Sequence, residues 1–322
     1  MRQARFCGTG QRMERRATTQ RPVHLPVVLA VAVTVLCWSS NFPTIRYILQ
    51  VYDPISMSVL RTWVGALALA ALALALRLRL PALRDWPLCV LFGLTGIALA
   101  TLCLNYGLSS LSAGGGAFLI GTVPIFSALL AWGCFGERLS RRAWLGIAVS
   151  FAGVGLIGLG EGGGLRFDLG TLFILASAAN QAFFYVFQRL LHRRYSSLQI
   201  TCTSVWAGAV LLSAFAPGLP ALVARAPLGH TLAVVYLGIF PTAIAFTAWN
   251  FALSRARAAK VTSSLFAMPA LAIAMAFAWL GEVPTLLSVL GGAVALSGVA
   301  MVHLWGGKGE QQRQPQMNAD KH

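Results

Sequence analysis

The residues best able to do chemistry are polar, aromatic and basic side chains embedded in long apolar runs. Trp38, Asn41 and Phe42 share one face at helical spacing, within the run Trp-Ser-Ser-Asn-Phe-Pro that starts at Trp38. A side-chain amide in an apolar environment costs free energy unless a partner meets its hydrogen bonds. Such a face is suited to binding a ligand at the wall of a cavity. An aromatic belt with an asparagine that packs against another helix is the alternative interpretation.

Arg61 is the most deeply placed basic residue of the chain. It follows Pro54 by seven residues, which is about 10 Å along a helix that rises about 1.5 Å per residue. An arginine at that depth in a membrane costs on the order of 2.5 kcal/mol or more, unless it reaches the headgroups or faces a polar interior. Two interpretations stay open, namely snorkelling to the headgroups and facing a water-filled cavity. In the cavity its chemistry is the attraction of anionic or carboxylate groups.

Motifs for catalysis or metal binding are absent from the sequence. There is no H-E-x-x-H, no pair of intramembrane carboxylates and no Ser/His couple, so we do not expect an enzyme. The six cysteines are scattered and form no C-x-x-C pair, which argues against a zinc site and a disulfide framework. A G-x-G-x-x-G match at 153–158 lies inside an apolar helix and fails the dinucleotide context. We expect neither a metal nor a cofactor.

The composition is that of a membrane protein. Of 322 residues, 57% are hydrophobic and only 11% are charged, and the mean hydropathy is +0.72. Apolar segments of about 20 residues are long enough to cross the hydrocarbon core as helices. We therefore predict an all-α polytopic membrane protein with ten transmembrane helices near 25–47, 54–76, 86–107, 113–133, 143–160, 169–189, 197–216, 230–252, 259–280 and 284–305.

The basic residues predict the orientation of these spans. With the N-terminus inside, Arg166 and Arg225 lie outside, Arg46 and Arg61 lie within helices, and the other Lys and Arg residues among the 25 lie inside. The positive-inside rule predicts this distribution for ten spans with both termini cytoplasmic. The net charge of +16 is thus a topology signal, and we do not expect nucleic acid as a partner. The apolar run after residue 24 is too long for a signal peptide, so we expect a retained first span.

A long internal repeat divides the chain into two halves. Four pairs of residues recur at an offset of 145 residues: Asn105/Asn250, Ser109/Ser254, Pro124/Pro269 and Glu137/Glu282. Each half has five spans, an odd number, so the second half enters the membrane from the opposite side. The sequence predicts two inverted five-helix repeats, a construction typical of secondary transporters. The predicted boundaries are a basic tail at 1–24, repeats at 25–160 and 169–305, a linker at 161–168 and a polar tail at 306–322.

The paired prolines and glutamates suggest how such repeats work. Pro124 and Pro269 each remove a helical hydrogen bond near the middle of a span, so we interpret them as gating kinks, with packing kinks as the alternative. Glu137 and Glu282 lie at span ends, where pairing with interfacial cations is the simpler interpretation and a functional role stays open. No acidic residue lies in the middle of a span. This favours a facilitative carrier, or one weakly coupled to protons.

These features together resemble the drug/metabolite transporter superfamily, in its EamA-type ten-helix branch. The resemblance covers residues 25 to 305 and departs from the doubled pattern at Phe184, which stands in place of the asparagine of span one. It implies a bacterial inner-membrane carrier, often an exporter of amino acids or related metabolites, with a central cavity lined by both halves. The residues we expect in the cavity wall are Trp38, Asn41, Phe42, Arg61, Tyr106, Gln181, Tyr185 and Trp249.

The resulting hypothesis is a secondary transporter that works by alternating access of its two repeats. Its expected partners are a small-molecule substrate and the lipid bilayer, and the sequence leaves open whether the chain acts alone or as a homodimer. A non-transporting membrane scaffold or sensor is the alternative. It would call for a folded extension or a long loop, and neither is visible in the sequence.

Overall fold

A computed structural model describes residues 25–137, 139–161, 169–191, 194–255, 261 and 264–305. The two predicted tails and nearly all of the predicted linker lie outside these ranges. Within them the secondary structure is entirely helical, so the all-α prediction is confirmed for the part of the chain that the structure describes.

Eight helices are long and apolar enough to cross a membrane: α1 (Leu25–Ile48), α2 (Pro54–Ala75), α3 (Leu83–Leu108), α4 (Ala113–Phe135), α5 (Arg141–Gly160), α6 (Leu169–Leu190), α8 (Leu228–Ala252) and α10 (Leu286–Trp305). Two shorter apolar helices, α7 (Ser197–Ser213) and α9 (Ser264–Leu280), lie where spans seven and nine were predicted. The predicted number of ten spans therefore stays a prediction. A short helix, Leu219–Arg225, joins α7 to α8.

The helix ends follow from residues that the sequence supplies locally. Asp53 caps α2, because its side chain accepts hydrogen bonds from the amides of Ile55 and Ser56. At their C-terminal ends, α4 and α9 stop at Gly136 and Gly281, both with φ of +67°. This left-handed conformation strains any residue with a Cβ atom, so glycine is the residue that ends both helices.

The two halves repeat each other in irregular backbone as well as in sequence. The helix α3 contains a π-helical segment at Gly93–Leu99, and α8 contains one at Gly238–Ile244. The helix α4 breaks after Ile120 and restarts at Val123, with Pro124 in the first turn of its second part. Similarly, α9 changes from a 3-10 turn to an α-helix at Met268, with Pro269 in the first turn.

The two repeats are packed into each other. The helix α1 contacts α8 and α9 of the second half, and α6 contacts α3 and α4 of the first half. The helices α5 and α10 approach so closely that a Cβ atom added to Gly146 would lie 2.8 Å from the carbonyl oxygen of Gly298. Small residues allow this close contact between membrane helices. The interface between the repeats therefore runs through the whole bundle.

An ion pair joins the repeats at each end of the bundle. At the end where α1 stops, Arg46 Nε donates to Glu282 Oε1 at 2.8 Å. At the opposite end, Arg189 Nη1 donates to Glu137 Oε1, also at 2.8 Å. Both glutamates thus bind a cation at the end of a helix, as the simpler interpretation of the sequence expected.

Candidate functional site

A cavity of about 520 Å³ lies between the two repeats. Helices α1 to α4 contribute to its wall from the first half, and α6, α8, α9 and α10 contribute from the second. Its size is in the range of about 300–1,000 Å³ that is usual for small-molecule sites. Seven residues expected in the wall do line it, together with both prolines: Trp38, Asn41, Phe42, Arg61, Gln181, Tyr185, Trp249, Pro124 and Pro269.

Tyr106 is the one expected wall residue that the structure places elsewhere. It does not line the cavity; it is 36% exposed and its ring stacks on Phe173 at 5.5 Å. On α3 it comes two residues after Leu104, which does line the cavity. Two residues turn a helix by about 200°, because a turn takes about 3.6 residues. Tyr106 therefore projects from the opposite face of α3.

The cavity wall repeats itself at the offset of 145 residues. Seven further pairs have both members in the wall: Gly96/Pro241, Ile97/Thr242, Thr101/Phe246, Leu104/Trp249, Ile120/Leu265, Gly121/Phe266 and Val123/Met268. Sequence reasoning did not assign Thr242, Phe246 or Phe266 to the wall. The internal repeat was the signal that could have identified these three residues, since their counterparts lie on spans three and four, which the repeat relates to spans eight and nine.

Hydrogen bonds between the repeats satisfy the irregular backbone beside the cavity. The indole nitrogen of Trp38 donates to the carbonyl oxygen of Pro241, inside the π segment of α8, at 3.0 Å. Thr34 donates to the carbonyl of Ala245, just after that segment, at 3.2 Å. Ser177 donates to the carbonyl of Ala100 at 2.7 Å, just after the π segment of α3. Irregular backbone at membrane depth needs such partners, because lipid offers none.

The second of these hydrogen bonds has a counterpart in the other repeat. Thr34 corresponds to Ser177 at the offset of 143 residues, and Ala245 corresponds to Ala100 at the offset of 145. Each π segment is thus followed by a carbonyl that accepts from a helix of the opposite half. Beside the cavity, each repeat therefore supplies a hydrogen-bond donor to the irregular backbone of the other repeat.

Aromatic rings form one wall of the cavity. The ring of Trp38 lies 5.3 Å from that of Trp249 and 5.4 Å from that of Phe246. Trp38 and Trp249 come from different repeats, so the cluster spans the interface. Aromatic faces can hold the apolar part of a ligand and can also attract a cation.

Arg61 is where the symmetry of the wall is broken. At the offset of 143 residues its counterpart is Ser204, which is fully buried and does not line the cavity. The Nη1 atom of Arg61 is buried and has no hydrogen-bond partner among the described residues, and the same holds for Oδ1 of Asn41. Among the described residues, no carboxylate lines the cavity. The site therefore presents a cation without a counter-ion.

The cavity reaches towards one end of the bundle. Gln188 and His303, which lie near the ends of α6 and α10, belong to its wall. At the other end, where α1 stops, the ring of Tyr47 stacks on His230 at 4.2 Å and lies 5.2 Å from Trp279. In the same region lie fully buried core residues such as Ile48 and Leu108. Packed side chains thus separate the cavity from the Arg46 end.

The arrangement is suited to binding rather than to covalent chemistry. Within the part of the chain that the structure describes, no group of three or more His, Cys, Asp or Glu residues could hold a metal ion. The wall combines a large apolar surface with a few polar groups. Such a cavity can hold a small molecule and orient it through those groups.

Comparisons with known proteins agree with this architecture. The EamA-like transporter family matches the chain twice, over residues 25–159 and 168–304. A crystal structure at 23% identity has the same fold, with a TM-score of 0.60 over 88% of this chain and 98% of the other.

Three relatives have names that refer to transport. A probable terminal-alkyne amino-acid exporter from Streptantibioticus cattleyicolor is 38% identical, over 86% of this chain and 93% of its own. The uncharacterized transporter YdfC from Bacillus subtilis is 37% identical, over 83% and 87%. The uncharacterized inner membrane transporter YedA from Escherichia coli is 27% identical, over 87% and 91%. These relatives are named as transporters, and the chain is a multi-pass membrane protein that belongs to the EamA-like transporter family.

Proposed function

We propose that the protein is a secondary transporter that exports small metabolites such as amino acids. The observation that carries this proposal is the cavity of about 520 Å³ between two repeats, with a wall to which both repeats contribute in matched pairs. A ligand bound there contacts both halves at once. Movement of one half against the other would then change the side from which the ligand is accessible.

The mechanism we propose is alternating access around the paired breaks of α4 and α9. Pro124 lies where α4 restarts after a break, Pro269 lies where α9 changes from a 3-10 turn to an α-helix, and both line the cavity. Residues with irregular backbone are suited to act as hinges, because fewer hydrogen bonds must break when they bend. The two breaks are related by the repeat, so bending one and then the other would open the two sides in turn.

The proposed location is the bacterial inner membrane, with ten spans and with both termini in the cytoplasm. The distribution of Lys and Arg residues supports this orientation. The name of the YedA relative, an inner membrane transporter, supports the location. With this orientation the cavity extends towards the cytoplasmic side, where an exporter takes up its substrate.

The amino-acid part of the proposal draws on one relative. The protein from Streptantibioticus cattleyicolor is named as a probable exporter of a terminal-alkyne amino acid, and its identity to this chain is 38% over most of both sequences. L-propargylglycine, which is a terminal-alkyne amino acid, is therefore a suitable first probe for transport.

The test is efflux from proteoliposomes that contain the purified full chain. Vesicles are loaded with radiolabelled L-propargylglycine or L-norvaline, its saturated analogue, and loss of label is followed over time. We expect saturable efflux that protein-free vesicles lack and that the unlabelled amino acids reduce. Equal rates with and without protein, for these probes and for a panel of the common amino acids, would refute the amino-acid proposal.

A further inference from the structure

We infer that Arg61 and Asn41 form a two-part subsite for a zwitterion, in which Arg61 binds the carboxylate and Asn41 accepts a hydrogen bond from the ammonium group. The preferred ligands are therefore α-amino acids with small apolar side chains, and cationic molecules are disfavoured. This inference rests on the proposed transport function, since it concerns the same cavity. It adds which charged groups the substrate must carry.

The first step is the unpaired charge of Arg61. Arg61 lies in the cavity wall with its backbone about 10 Å along α2 from Pro54, and its Nη1 atom is buried without a hydrogen-bond partner in the part of the chain that the structure describes. An arginine keeps its charge and offers five N–H donors in a planar fork. None of the ion pairs between described residues involves Arg61. A bound carboxylate would supply the missing acceptor, with the bidentate geometry that this fork favours.

The second step is the position of Asn41. It precedes Ile48, the last residue of α1, by seven residues, and Arg61 follows Pro54, the first residue of α2, by the same number. Since α1 and α2 run in opposite directions, the backbones of both residues lie about 10 Å below the same end of the bundle. The amide oxygen of Asn41 has no hydrogen-bond partner among the described residues. An acceptor and an unpaired donor therefore belong to wall residues of one cavity that lie at the same level of the bundle.

The third step is the surface around these two groups. Trp38 and Trp249 form part of the wall, and Trp38 follows the same face of α1 as Asn41. Their rings can hold an apolar side chain, and their faces attract a nearby ammonium group. With no described carboxylate in the wall, a ligand that is only cationic would meet the charge of Arg61 without compensation. The combination selects for a carboxylate next to an ammonium group.

The test compares three molecules that differ only in their charged groups. L-norvaline carries both groups, pentanoate carries only the carboxylate and butylamine carries only the ammonium group. Binding to the full chain in detergent is followed by tryptophan fluorescence, because Trp38 and Trp249 line the cavity. We expect norvaline to bind most tightly, pentanoate about tenfold more weakly, and butylamine without saturation.

Variants separate the two halves of the subsite. In R61Q we expect pentanoate binding to be lost and norvaline binding to weaken about tenfold or more, with R61K intermediate because lysine keeps the charge but not the fork. In N41L norvaline should bind no better than pentanoate. The matched control is R225Q, which removes an exposed arginine outside the cavity and should bind all probes as the unaltered protein does.

Three results would overturn the inference: butylamine binding as tightly as norvaline, R61Q binding pentanoate unchanged, or no saturable binding of norvaline or pentanoate to the unaltered protein. Each variant is first checked for a single peak in size-exclusion chromatography. If norvaline binds in an Arg61-dependent way but proteoliposomes do not release it, the transport proposal fails and the subsite stands. If efflux occurs and R61Q leaves it unchanged, the subsite fails and the transport proposal stands.

Discussion

Replacing Arg46 with glutamine should destabilise the protein more than the same change at Arg189, although the two arginines are related by the repeat. Arg46 bonds Glu282 at 2.8 Å and also donates to the carbonyl of Leu108 at 3.1 Å. The second oxygen of Glu282 accepts from the amide of Ala113 at 3.0 Å. The pair thus joins α1 to the ends of α3, α4 and α9.

The expected size of the effect follows from how far each pair is shielded from water. The side chains of Arg46 and Glu282 are 30% and 21% exposed, whereas those of Arg189 and Glu137 are 40% and 46% exposed. Breaking a fully buried pair costs about 3–5 kcal/mol, and an exposed pair contributes about 0–1 kcal/mol. We expect R46Q to lower the free energy of unfolding by about 2 kcal/mol and R189Q by less than about 1 kcal/mol.

The assay is thermal unfolding of the purified variants in one detergent, at low and at high salt. A loss of about 2 kcal/mol corresponds to a fall in Tm of about 3 °C for a chain of 322 residues, since the unfolding entropy is about 2.1 cal/mol/K per residue. The double variant R46Q/E282Q should cost less than the sum of the single variants, because each single variant leaves one charge unpaired. If R189Q lowers Tm as much as R46Q, or if the double variant is additive, our account of the pair is wrong.

Three further predictions concern packing, capping and energy coupling. G153A should lower Tm, because an added Cβ would clash with the backbone of α10 at Ala295, at a cost of about 1–3 kcal/mol. The control is G155A, where an added Cβ would have no described atom within 4 Å, so that variant should be neutral or slightly stabilising. D53A should cost about 1 kcal/mol of unfolding free energy through the lost cap, and D53N much less. Burial raises the pKa of Asp53, but hydrogen bonds from Ser56 and Ile55 outweigh this effect and leave the pKa below its ordinary value of 3.8. The stabilisation by the carboxylate is therefore present at neutral pH and is lost as the pH falls through the lowered pKa. Comparing the Tm of the unaltered protein with that of D53N across acidic pH measures this loss. Efflux from proteoliposomes should change little when a pH gradient is imposed, because no acidic residue lies in the middle of a predicted span; a strong dependence that E137Q or E282Q abolishes would contradict this.

Much of the architecture could be predicted because it depends on local or repeated signals. Hydropathy identified a membrane protein, and the structure has eight helices that are long and apolar enough to cross a membrane. The paired prolines and glutamates predicted matching features in both halves, and Gly136 and Gly281, which directly precede the glutamates, end α4 and α9 in the same conformation. The predicted count of ten spans is harder to establish, since α7 has only 17 residues and is therefore about 26 Å long.

The rotation of each helix could not be predicted in the same way. Tyr106 was expected in the cavity wall, yet it projects from the face of α3 opposite to Leu104 and its ring stacks on Phe173. For Arg61 the sequence left two orientations open, and its position in the wall depends on where α2 packs. The sequence did not predict the π-helical segment of α3, because the carbonyl that follows it is satisfied by Ser177 of the other repeat.

By itself the sequence determined that this chain lies in a membrane and that it is duplicated, and it predicted that the two halves run in opposite directions. These properties follow from hydropathy, from an offset of 145 residues and from an odd number of predicted spans, none of which needs a long-range contact. The tertiary structure decided which side chains meet. Arg46 and Glu282 are 236 residues apart in the chain and bond directly, and Arg61 has no counter-ion among the described residues. Such pairings depend on how the helices rotate and pack, and the same local sequence signals are compatible with several packings of the helices.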